Sequence, residues 1–100
     1  MSIVDVAPAA VNLSSLTESV ISGEMAASTA AGSAALVGVV PMAASADDAA
    51  FATAMAGAGG AYLGAAGAHT GQRAAYATGQ SLASVSYVLN ELISAAKFSF

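Results

Sequence analysis

The chain has 100 residues, 57% of them hydrophobic and only 8% charged, with no Cys and a formal charge of −4. That length holds one small domain, the missing thiols exclude disulfides, thiolate metal sites and a cysteine nucleophile, and two basic residues, Arg73 and Lys97, against six acids exclude nucleic-acid binding. Most of the apolar residues are alanine, so side-chain volume is low and a large self-sufficient core is not expected.

The opening segment, Met1 to Pro8, lacks the positive n-region and compact Leu-rich stretch of a secretory leader, and is expected to be retained. Pro8 suits the first turn of a helix, where its missing N–H is not needed. Pro41 disfavours the α conformation at the residue before it, so a first helix is expected to end near Leu36 to Gly38. Ser45 or Asp47 can cap a second helix, and Asp47 and Asp48 suit the positive end of its dipole. The predicted elements are helix 1 at about 8–37, a turn at about 38–46 and helix 2 at about 47–96, within a single domain spanning 1–100. The fold class is all-α, an antiparallel two-helix hairpin.

Periodicity suggests which faces are covered. In helix 1, Val6, Ala9, Leu13, Leu16, Val20, Gly23, Ala27, Ala30, Ala34 and Val37 alternate in steps of three and four, the spacing of an a/d seam. In helix 2, Phe51, Met55, Ala58, Tyr62, Ala65 and His69 form one stripe, which Tyr76 nearly continues. Gly57, Gly60, Gly64, Gly67 and Gly71 form another, nearly opposite, and Leu82, Val85, Leu89 and Leu92 extend the glycine side. Each interior glycine costs about 0.5–1 kcal/mol relative to alanine, which tight packing along the stripe would offset. That neighbour can be helix 1 itself or a second chain. The aromatic stripe then still needs cover, and a two-helix hairpin has no third element to supply it. The chain is therefore expected to need a partner, with these residues as partner or helix interfaces and the glycines as close-packing positions.

Two stretches without charge, Met25 to Ala46 and Ala49 to Gln72, are long enough to cross a bilayer. They are rich in Ala and Gly, poor in Leu and Ile, and lack flanking Lys or Arg, so a membrane hairpin is the weaker alternative. Arg73 can pair with an acid on helix 1 or on a partner, or solvate an exposed face. His69 is the only histidine, no Gly-x-Ser-x-Gly elbow is present, and Gly59-Gly60 is not followed by Lys-Ser/Thr. Neither a metal site nor an active site is expected, nor any cofactor.

Several of these features in order resemble the PE proteins of mycobacteria. They are an apolar start with proline at position 8, an Ala-rich first helix, the turn Val40-Pro41-Met42-Ala43-Ala44-Ser45-Ala46-Asp47-Asp48, an Ala-rich second helix with mid-helix aromatics, and Tyr87-Val88-Leu89-Asn90-Glu91 near the end. The last fits the family's Tyr-x-x-x-Asp/Glu export signal. Pro8 is followed by Ala9 rather than by the Glu of the naming dipeptide. The resemblance implies a non-enzymatic subunit that docks lengthwise on a PPE protein to complete a four-helix bundle. It implies export of the folded pair from the cytosol through a type VII (ESX) secretion system, to the envelope or beyond, with Tyr87 and Glu91 as the signal and a chaperone holding the PPE partner. It also implies a PE domain with no appended enzymatic or repeat region. Two other readings remain: a homodimer meeting across the aromatic stripe, and a small membrane hairpin using the glycine stripe in lipid.

Overall fold

A computed structural model describes residues 5–99, and its described elements are two α-helices, α1 (Pro8–Val37) and α2 (Ala46–Lys97). At the start of α1 the Ala7 carbonyl accepts the N–H groups of Ala10 and Val11 at 3.0 and 3.2 Å, and Pro8 fills the position where no N–H is required. The helix closes with Gly38 N–H bonded to the Ala34 carbonyl at 2.8 Å. No glycine among the described residues has positive φ, so α1 ends without a left-handed cap.

Of the two candidate caps for α2, Ser45 fills the role. Its Oγ accepts the Asp48 N–H at 3.1 Å and donates to Asp48 Oδ2 at 2.6 Å, and its carbonyl receives the Ala49 N–H at 3.1 Å. Asp47 and Asp48 place negative charge in the first turn and Lys97 positive charge in the last, both favourable to the helix dipole. Replacing Ser45 with Ala removes the cap, and we expect a loss of about 1 kcal/mol, measurable as a lower urea midpoint in circular dichroism.

Contacts divide the chain into two compact units, each an antiparallel pairing of α1 with α2. One unit joins the segment up to Ile21 with Arg73 onward, and the other runs from Ser22 to Gln72. In the first, Ser15, Ala77 and Ser84 are buried. Serine hydroxyls tie the helices together: Ser15 Oγ donates to the Ala77 carbonyl at 2.6 Å, Ser84 Oγ to the Pro8 carbonyl at 3.1 Å, and Gln80 Nε2 to Ser14 Oγ at 2.8 Å. Arg73 Nε lies 3.6 Å from Glu18 Oε2, so the arginine pairs across the helices instead of merely solvating a face. Both groups are partly exposed, which keeps the energetic value of this pair small.

In the second unit the helices meet on Gly59. A β-carbon there would strike the Leu36 carbonyl oxygen and lie 2.7 Å from its carbon and 3.2 Å from Leu36 Cβ. Only a residue without a side chain fits. Ala52 is buried in the same unit, as is Ser22, whose hydroxyl has no hydrogen-bond partner; its small volume, rather than its polarity, suits the seam.

The contact between the helices thus differs from the one periodicity suggested. Leu13, Leu16 and Val20 are 60–65% exposed. Val37 and the small members of the same series, Ala9, Gly23, Ala27, Ala30 and Ala34, are exposed as well, and Val6 is half-buried. In the first unit the contact instead involves Ser15 on α1 with Ala77 and Ser84 on α2, and in the second Ser22, Thr29 and Leu36 on α1 with Ala56, Leu63 and Thr70 on α2, all buried or half-buried. The reason is steric. Bulky side chains hold helix axes about 8–10 Å apart, whereas Ala, Ser and Gly let the backbones approach until hydroxyls reach the opposite carbonyls.

Candidate functional site

The seam consumes little of the chain's apolar surface. Buried apolar side chains among the described residues are Ala52 and Ala77; Leu36 and Leu63 are half-buried, and most of the other large ones remain on the outside. In the Ser22–Gln72 unit, Phe51 and Tyr62 are more than 60% exposed, and Met55 and His69 are also exposed. In the other unit Tyr76, Leu82, Val85, Leu89 and Leu92 are exposed, joined by Val88 and Ile93. None of these residues contributes to the buried seam.

The glycine stripe behaves in the same way. A β-carbon at Gly57, Gly60, Gly64, Gly67 or Gly71 would meet nothing within 4 Å, which corrects the reading in which helix 1 packs along this stripe. Within the chain the close approach is made by Gly59 instead. The stripe lies on the flank of α2 beside the seam, with room for a β-carbon at each of its glycines.

Shallow apolar grooves run beside the seam in the Ser22–Gln72 unit. Leu36, Val39, Met55, Ala58, Gly59 and Tyr62 line one of about 320 Å³. Ala30, Ser33, Leu63, Gly67 and Thr70 are among the residues around another of about 480 Å³. Grooves of this shape, apolar and flanked by exposed large side chains, accept the ridge of a further helix.

Tyr87 and Glu91 lie on adjacent turns of α2, a spacing that presents both on one face. The structure adds what the motif alone did not contain. Asp5, Val6 and Pro8, from the segment entering α1, join Tyr87, Asn90 and Glu91 around a cleft of about 320 Å³. The tyrosine is 41% exposed and the carboxylates are open to solvent.

Among the described residues no group of three or more His, Cys, Asp or Glu could hold a metal ion. One helix, α1, is long and apolar enough to cross a membrane, with a mean hydropathy of 1.2. The first uncharged stretch, Met25 to Ala46, is broken by the non-helical residues 38–45 and does not form one continuous helix. Comparison with protein-family models, with curated proteins and with solved structures returns no match to this chain.

Sequence reasoning missed Asp5 and Asn90 in the cleft and the serines of the seam. For the seam a signal was present. Ser15, Ser22, Thr29 and Leu36 recur every seven residues, as do Ala56, Leu63, Thr70, Ala77 and Ser84, the repeat that keeps one helix edge facing another. Apart from Leu36 and Leu63 it is a repeat of small and hydroxyl residues, which hydrophobic counting does not weigh. For Asp5 no local signal exists, because its proximity to Tyr87 and Glu91 arises only when the helices pair.

Proposed function

We propose that this chain is a non-enzymatic interaction subunit that docks lengthwise on a PPE-type protein, completes a four-helix bundle with it, and is exported with it by a type VII secretion system. The observation that carries the reading is the distribution of size. Small residues close the contact between α1 and α2, while Phe51, Tyr62, Leu82, Leu89 and Leu92 stay on the outside. A chain that closes its own seam mostly with alanine, serine, threonine and one glycine, admits only Leu36 and Leu63 of its leucines there, and keeps the other leucines and the aromatics exposed is shaped to bury them elsewhere. The partner class and the export route rest on the resemblance to the PE proteins. On this reading the pair forms in the cytosol, a chaperone holds the PPE chain, and the destination is the envelope or the exterior.

Tyr87 and Glu91 serve as the export signal. Tyr87→Ala is expected to abolish appearance of the protein outside the cell while the intracellular complex with the partner still co-purifies. Normal export of that variant would remove the signal assignment.

Self-association is the second reading. It is favoured by the uncharged stretch from Ala49 to Gln72, which offers an apolar flank that a second copy could match. The formal charge of −4 on each copy opposes it through mutual repulsion. Co-expression with a candidate PPE-type protein separates the two, because a one-to-one heterodimer and a symmetric homodimer differ in mass and composition.

A further inference from the structure

The cleft formed by Asp5, Val6, Pro8, Tyr87, Asn90 and Glu91 has a chemistry of its own. Two carboxylates, a phenol ring and a side-chain amide share its wall with two apolar residues. Neither Asp5 nor Glu91 has an ion-pair partner among the described residues. We propose that the cleft seats an arginine side chain of the protein that reads the export signal, so that Asp5 is a third member of that signal beside Tyr87 and Glu91. This rests on the export reading given above for Tyr87 and Glu91.

The ligand class follows from the lining. Calcium and magnesium ions take about six or more oxygen ligands and zinc about four, whereas this cleft offers two carboxylates beside Val6 and Pro8, whose apolar surface contributes nothing to an ion. An amphipathic cation uses every wall. Its aliphatic stem packs on Val6 and Pro8 while the charged head reaches the carboxylates. A planar guanidinium gains most, since it donates paired hydrogen bonds to carboxylates, leaves further N–H groups for the Asn90 carbonyl, and stacks on an aromatic face such as Tyr87. A volume of about 320 Å³ accommodates one such side chain and no folded element.

The placement also explains why a pair four apart on a helix can act as a specific signal. Tyr followed by an acid at that spacing is common in helices, but only a chain whose N-terminal segment folds back beside it presents the second carboxylate. Recognition would then depend on the folded helix pair as well as on the local sequence.

The test is a titration of the isotopically labelled chain, held in its complex with the co-expressed partner, with N-acetyl-arginine amide, followed by NMR chemical shifts, with N-acetyl-citrulline amide as the uncharged isostere. The expected result is saturable shifts confined to Asp5–Pro8 and Tyr87–Glu91, with affinity about tenfold weaker for citrulline and for the Asp5→Asn variant, equivalent to about 1.4 kcal/mol. Glu91→Gln serves as a second variant and should weaken binding similarly. Shifts of equal size with citrulline, or spread evenly over Glu24, Asp47 and Asp48, would overturn the proposal. The binding readout does not involve export. Absence of arginine binding by the unaltered chain while Tyr87→Ala still blocks export would sink the cleft and leave the signal, whereas normal export of Tyr87→Ala while the unaltered chain binds arginine would sink the signal assignment itself.

Discussion

Gly59→Ala is expected to destabilise the chain by about 1–3 kcal/mol, the usual cost of forcing extra atoms into a filled contact. The single added carbon would meet the Leu36 backbone, which cannot rotate out of the way as a flexible side chain would. The same substitution at Gly64 meets nothing within 4 Å, so Gly64→Ala is expected to stabilise the chain by about 0.5–1 kcal/mol through helix propensity. Thermal unfolding followed by circular dichroism distinguishes them, because 1 kcal/mol shifts the midpoint by about 4–8 °C in a domain of this size. Opposite signs at two glycines five residues apart would locate the tight contact. Equal losses at both would mean that α1 packs on the stripe after all.

The larger effect is expected on association. Replacing Leu82, Leu89 and Leu92 together with serine removes three exposed leucines and disturbs no buried contact, so helicity of the chain should be retained. Burial of each leucine is worth about 1.5–3 kcal/mol. Losing all three from an interface should weaken partner binding by at least about a hundredfold even after allowing for non-additivity. Isothermal titration or pull-down against the co-expressed partner reads the loss. Retention of full affinity in the triple variant would show that the partner covers a different face, and the same variant of Phe51, Met55 and Tyr62 would then become the informative one.

The stripe of Gly57, Gly60, Gly64, Gly67 and Gly71 takes on a different meaning in this light. Inside the chain it is unoccupied, yet each glycine still weakens an exposed helix. Introducing leucine at Gly64 would therefore leave the hairpin intact. Any harm it causes should appear in partner binding, where a bulky ridge needs the space.

Several elements were legible in the sequence for identifiable reasons. Proline at positions 8 and 41, with Ser45-Ala46-Asp47-Asp48 following, specifies where helices start and stop, because these residues act through their own backbone geometry and nearest neighbours. The exposed aromatic stripe was also visible, since large side chains at helical spacing stand out. The pairing edge was not. Ranking positions by hydrophobicity selects Leu13, Leu16 and Val20, and the structure places them on the outside. What decides the edge is how closely two backbones can approach, and there Ser15, Ala77 and Gly59 outweigh leucine. The cleft was half legible. Tyr87 and Glu91 announce themselves by spacing, whereas Asp5 reaches them through tertiary pairing alone.

That the chain is built to be covered by another is tested most directly by analytical ultracentrifugation with circular dichroism, on the chain alone and co-expressed with a candidate PPE-type protein. The expected result is heterogeneous self-association of the single chain, replaced by a discrete one-to-one complex when both are made together. A stable, fully helical monomer in dilute buffer, unchanged by the second protein, would contradict it.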